Sequence, residues 1–229
     1  MSSFLSSSIG KKLIMSLSGL FLVLFMLVHL ILNSFLMFDS TGELFNAGAH
    51  FMAMPVIRFG LQPVLAGGFL IHIIYAITLT IQNMKARPQK YASQNLGQSS
   101  TWSSRNMFVL GGLVLVFIVM HLMHFFVPMQ ITGEGLESVT IHGEEMHNGA
   151  ALVKALFTAG TFGIVYTALY VVGAILLGMH LAHGFWSSFQ SIGLSNSIWR
   201  TRLEKVGYIY AIFIAVGFAI IPLYLHFFA

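Results

Sequence analysis

Histidine is the residue type that stands out against its surroundings. The chain of 229 residues is 57% hydrophobic and only 8% charged, yet it carries ten histidines. Seven of them fall in long apolar stretches: His29, His72, His121, His124, His180 and His183, with His226 near the end of the last stretch. A polar ring there is costly unless a partner satisfies it, so such a residue marks a helix contact, an ion path or a cofactor. Neutral imidazole offers one lone-pair nitrogen to a metal and one N–H to a neighbour. Cysteine is absent. Its absence excludes thiolate-bound iron–sulfur clusters, c-type haem attachment and disulfides from this chain.

The elements that must position these rings are membrane helices. A soluble domain has roughly 25% charged residues, and a chain this poor in charge must be solvated by lipid. Five apolar stretches, at 13–38, 56–81, 107–128, 156–185 and 206–228, are each long enough to cross a core about 30 Å thick. The expected fold is all-α, a single-domain integral membrane bundle of five transmembrane helices. The first stretch follows Lys11 and Lys12; it is too long for a signal-peptide core and reads as a retained helix.

The basic residues give the orientation. Lys11 and Lys12, then Lys85, Arg87, Lys90 and Arg105, then Arg200, Arg202 and Lys205 all fall on one side of a five-span chain. Arg58 and Lys154 fall on the other, with Asp39, Glu43, Glu134, Glu137, Glu144 and Glu145. The N-terminus is therefore expected in the cytoplasm. The formal net charge of +4 comes from these short loops and carries no nucleic-acid signal.

Depth sorts the histidines. His29 lies about 24 Å along helix one from the cytoplasmic face and His121 about 21 Å along helix three. His72 lies about 24 Å from the outer face on helix two, and His180 is at the inner end of helix four. Two pairs at two depths result: His29 with His121 near the outer face, His72 with His180 near the inner one. Two facing imidazoles at one level in an apolar bundle suit a six-coordinate haem iron, and haems at two levels would carry electrons across the membrane. The doublets His121/His124 and His180/His183 each share a helix face, so depth leaves His124 and His183 as alternates. A haem-free, histidine-using transporter is the rival reading; it would be expected to set acidic groups beside the rings.

Three strings carry a family resemblance: His29-Leu30-Ile31-Leu32-Asn33, Phe45-Asn46-Ala47-Gly48-Ala49-His50-Phe51-Met52, and His180-Leu181-Ala182-His183-Gly184-Phe185-Trp186-Ser187. With the five spans they resemble the two-haem cytochrome b anchor of succinate dehydrogenases and fumarate reductases (succinate:quinone oxidoreductases). The resemblance implies two haem b groups, a distal one on His29 and His121 and a proximal one on His72 and His180. It implies a flavoprotein with FAD and an iron–sulfur protein docked on the cytoplasmic face, and menaquinone or another quinone as substrate. It also implies a place in the respiratory chain and the tricarboxylic acid cycle. It further implies a bacterial cytoplasmic membrane, and it allows a dimer of the whole complex. The dicarboxylate site would lie on a partner chain. The cytochrome b of another membrane oxidoreductase, such as a hydrogenase or formate dehydrogenase, is the nearer alternative.

Quinone chemistry needs a polar group beside an apolar slot, and Glu43, Asn46 and His50 are the candidates near the distal pair. Arg58, at the outer end of helix two, is a candidate partner for a haem propionate or for lipid phosphate. The segment from 129 to 154, with His142, Glu144, Glu145 and His147, is expected to be a solvated loop. Members of this family place a glutamate near the outer start of helix two; here Met54-Pro55-Val56-Ile57-Arg58 holds none.

Overall fold

A computed structural model describes residues 7–86, 102–194 and 196–229. Arg87 and Lys90, two of the cations used for sidedness, lie outside the described residues. Among the described residues the chain is all-α apart from one two-stranded hairpin. Five helical segments are long and apolar enough to cross a membrane: Ser8–Phe38, Ile57–Ala86, Met107–Thr132, Gly160–Ser191 and Ser197–Phe228.

The ends of these helices follow from side-chain caps. Helix α1 (Ser8–Phe38) starts where the Gly10 N–H donates to Ser7 Oγ at 3.0 Å, and it stops at Asp39, whose backbone is extended. A helix leaves its first N–H groups without backbone partners, and a hydroxyl at the cap satisfies one. After α1 comes a short surface helix, α2 (Glu43–Ala53), between the first two apolar stretches. One π-helical turn (Ile57–Leu61) then leads into α3 (Gln62–Ala86).

A single-turn helix, α4 (Trp102–Arg105), precedes α5 (Met107–His121). Proline has no N–H and crowds the preceding turn. At Pro128 the third span therefore does not end but widens, through π-helical turns at Leu122–Phe126 and Pro128–Thr132. Gly133, at φ +71, closes it by donating its N–H to the Pro128 carbonyl at 2.9 Å. The segment 129–154, expected as a solvated loop, is exposed at His142, Glu144, Glu145 and His147 and also carries regular structure. It holds an antiparallel hairpin of β1 (Ser138–Ile141) and β2 (Glu144–His147), then α6 (Gly149–Thr158), capped by Asn148.

The last two helices, α7 (Gly160–Ser191) and α8 (Ser197–Phe228), form the most extensively packed pair. Helix α8 begins at Ser197 rather than at 206. Asn196 accepts from two of its N–H groups, and the polar first turns are helical, with Arg200 and Glu204 paired at 3.0 Å. Between membrane helices, lipid removes most of the hydrophobic drive, so close approach through small residues matters more. A methyl group at Gly178 would stand 2.6 Å from Ala215 Cβ, and one at Gly217 would stand 2.7 Å from Leu30. Helix α1 packs on α3, α7 and α8, while α5 packs chiefly on α7. Helix α3 contains no buried residue and touches α5 only slightly. The outward faces carry exposed apolar side chains such as Ile74, Val116, Val172 and Ile209, a surface suited to lipid.

Candidate functional site

The two histidine pairs expected from depth face each other across the bundle. His72 on α3 and His180 on α7 have ring centroids 6.4 Å apart, with planes at 70°. His29 on α1 and His121 on α5 have centroids 5.7 Å apart, at 83°. The first pair lies at the level of Ser18 on α1, in the half of the bundle where the chain begins; we call it the lower pair. The upper pair lies about 16 Å further along α1, towards the face that carries α2, the hairpin and α6.

The upper pair is walled by aromatic rings. His29 stacks on Phe25 at 5.2 Å and lies 5.6 Å from Phe218. His121 lies among Phe117, Phe125 and Tyr170, at 6.2, 5.3 and 6.1 Å. The lower pair is bounded by glycine. A methyl group at Gly19 would reach 3.5 Å from His72 Cε1, and one at Gly111 would reach 3.4 Å from His180 Cε1. Helix backbone thus lies close to both lower rings, and a methyl at either position would meet them in ordinary van der Waals contact. Ser18 Oγ lies 3.4 Å from His72 Nδ1. His180 Nδ1 is buried and has no hydrogen-bond partner.

The doublets separate in three dimensions. His121 faces His29, whereas His124 turns to α7, with its Nδ1 3.1 Å from the Tyr170 hydroxyl and its ring stacked on Tyr170 at 6.0 Å. His183 packs against Trp186 at 5.2 Å, and its Nδ1 is buried without a partner. Neither enters the two facing pairs.

Asn46, Glu43, His50 and Arg58 do not form one cluster. Asn46 is 2% exposed and ties α2 to the start of α6. Its Nδ2 donates to Asn148 Oδ1 at 3.1 Å, and its Oδ1 accepts from the Ala150 N–H at 2.8 Å. Glu43 and His50 lie exposed on α2. The Arg58 guanidinium donates to the Gln130 carbonyl at 2.7 Å, joining the start of the second span to the end of the third. On the hairpin, Glu145 lies opposite Thr140 and His147 opposite Ser138. Among the described residues, no three His, Asp or Glu side chains converge as a metal-ion site.

No protein-family model, curated protein or solved structure matches this chain. Its chemistry is therefore argued from the pairs themselves. Each pair supplies two nitrogens. A bare ion in a closed protein site takes about four ligands, so two imidazoles suit a metal that brings its own remaining ligands, as iron in a porphyrin does. Metal–imidazole bonds are about 2.0 Å, and the ring centroid lies about 1.1 Å behind the bonded nitrogen, so two rings sharing one metal would stand about 6.2 Å apart. The lower pair is within about 0.2 Å of that spacing and the upper pair within about 0.5 Å. No Asp, Glu, Lys or Arg occurs between residues 59 and 84, 107 and 133, or 155 and 199. Hydroxyls and carbonyls are thus what these segments offer as second partners to the rings. Ser18, Gly19, Gly111 and Tyr170, which complete the surroundings of the pairs, have no periodicity or charge signature in the sequence.

Proposed function

We propose that the chain is a di-haem cytochrome b, the membrane anchor of a succinate:quinone oxidoreductase that passes electrons between an iron–sulfur partner and membrane quinone. The observation that carries the haem part is the pair of facing imidazole couples at two levels, drawn from four different helices. His72 and His180 would hold the lower haem, and His29 and His121 the upper one. Bound haem supplies one-electron redox chemistry at each level.

The chain's own residues do the rest. The glycine walls at 19 and 111 admit close approach to the lower rings. The phenylalanines around the upper rings exclude water and leave the imidazoles neutral. Neutral imidazole is the form that binds a metal. The assignment to succinate chemistry, with flavoprotein and iron–sulfur partners on the cytoplasmic face, rests on the three sequence strings around His29, Asn46 and His180. Glu43 and His50, exposed on α2, are the candidate proton-handling groups for quinone. Asn46 supports them by fixing α2 in place.

The test is a reduced-minus-oxidised visible spectrum with haem quantified per chain. Two b-type haems are expected. His72→Ala should remove one and His29→Ala the other. A folded, membrane-inserted wild-type protein without haem, from haem-sufficient cells, would refute the cytochrome reading. Copurification of a covalently flavinylated subunit separates the succinate assignment from that of another cytochrome b.

A further inference from the structure

We infer that Ser18 is the positioning residue of the lower pair, holding His72 as its Nδ1–H tautomer so that Nε2 presents the lone pair. The inference rests on the haem reading above. It concerns one hydroxyl and the ring it faces, a contact between residues 54 positions apart in the chain.

A serine hydroxyl has one proton and two lone pairs. Ser18 Oγ lies 3.1 Å from the Met15 carbonyl oxygen, which can only accept its proton, and 3.4 Å from His72 Nδ1. A carbonyl can only accept, so a hydroxyl donating to Met15 faces the imidazole with a lone pair. The ring nitrogen there must then carry the hydrogen and donate it to Ser18. One ring nitrogen of neutral imidazole is N–H and the other is bare, so Nε2 is left as the metal-binding atom. The opposite hydroxyl orientation, donating to Nδ1, would put the hydrogen on Nε2 and block ligation there. Among the described residues, Ser188 makes no hydrogen bond to the ring; its hydroxyl donates to the Gly184 carbonyl at 2.9 Å.

The arrangement is one-sided. His180, facing His72, has a buried Nδ1 with no hydrogen-bond partner. A ligand imidazole whose N–H is hydrogen-bonded is held in orientation and is the more basic donor. A more basic donor favours oxidised over reduced iron. Ser18 should therefore keep the lower potential below the value that the same two rings would set without it. The upper rings contact aromatic side chains rather than Ser18, so their potential should not respond.

The experiment is a potentiometric titration of the full-length wild type, Ser18→Ala and Ser18→Thr in detergent, with haem counted per chain. The component lost in His72→Ala identifies the lower haem. Ser18→Ala should raise the lower midpoint, so that the oxidised-to-reduced ratio at the wild-type midpoint falls roughly three- to tenfold. The upper component should stay fixed, and Ser18→Thr, which keeps a hydroxyl, should return the lower one towards wild type. Loss of the lower haem alone in Ser18→Ala, with both retained in Ser18→Thr, supports the same role. Two bound haems at unchanged potentials in Ser18→Ala would overturn it. So would an equal shift of both components, or loss of the lower haem in both variants. A wild type with no haem defeats the cytochrome reading first, and is distinguished by the haem count alone.

Discussion

Asn46→Ala should destabilise the protein by about 2–4 kcal/mol, because Asn46 supplies the buried polar link between α2 and α6, alongside the apolar packing of Phe45 and Ala150. Its side chain is 2% exposed and makes two hydrogen bonds across 102 and 104 positions of chain, to Asn148 Oδ1 and from the Ala150 N–H. Truncation removes both, each worth about 0.5–1.5 kcal/mol net. It also strands the Ala150 N–H, one of the first-turn donors of α6, on a residue that is itself 2% exposed. A buried unsatisfied donor costs about 1–3 kcal/mol. Asn148 Oδ1 is not orphaned, since it also accepts from the Ala151 N–H at 3.1 Å. Asn46→Asp should lose less. It keeps an acceptor for Ala150 and places negative charge at a helix N-terminus, although its second oxygen then faces Asn148 Oδ1. The assay is unfolding of the purified protein in detergent, followed by near-ultraviolet circular dichroism, with quinone turnover measured on the assembled complex below the melting range. A wild-type unfolding midpoint for Asn46→Ala, together with altered turnover, would refute the scaffold argument and move Asn46 into the quinone site.

Gly178→Ala should cost about 1–3 kcal/mol, since the new methyl would stand 2.6 Å from Ala215 Cβ and 3.3 Å from the Ala211 carbonyl; Gly67→Ala, with nothing within 4 Å, is its neutral control in the same unfolding assay. Tyr170→Phe should keep the ring packing around His121 and His124 while removing the hydroxyl that faces His124 Nδ1 at 3.1 Å; the expected loss is about 0.5–1.5 kcal/mol with both haems retained, and loss of the upper haem would show that the hydroxyl positions that site. Asp39, just beyond α1, has its carboxyl held below the usual 3.8, first by the Thr41 hydroxyl and then by the Leu44 N–H. The folded state therefore releases this proton more readily than the unfolded chain does. That contribution to stability is complete above the unfolded value and is lost as pH falls through the folded one. Thr41→Ala should raise the Asp39 pKa, as read by carboxyl-carbon NMR titration.

The parts legible in the sequence were those set by constant geometry. Rise per residue is fixed in a helix, so counting along alternating spans placed His29 level with His121 and His72 level with His180 before any contact was known. What counting does not carry is rotation about the helix axis. His121 and His124 share a face and a depth range, and they are told apart only because Tyr170 on another helix draws one of them aside. Ser18 lacked any signal for the same reason: its relation to His72 depends on how α1 is turned against α3. The surface elements failed for a different reason. Helix α2 and the hairpin are short, and their order comes from contacts such as Asn46 to Asn148 rather than from a repeating apolar pattern. The third apolar stretch ends at 128, whereas the turns around Pro128 widen and carry the helix to Thr132.

Helix α8 shows how a span without a facing histidine still governs the pairs. Its one histidine, His226, is bonded through Nδ1 to the Phe157 carbonyl at 2.7 Å, at the far end from the lower pair. Yet α8 meets both helices that matter for spacing. Ala215 lies under Gly178, two residues from His180 on α7. Gly217 lies under Leu30, next to His29 on α1, and Phe218 lies 5.6 Å from His29 itself. The Tyr210 hydroxyl donates to the Val23 carbonyl of α1. Small residues at 215 and 217 set how near α7 and α1 come to a common wall, and hence how far apart their imidazoles stand from their partners on α3 and α5. A half-ångström change in that spacing is comparable to the difference between the two observed pairs. A bulky residue at Gly217 should therefore disturb the upper pair before the lower one, although it touches neither ring.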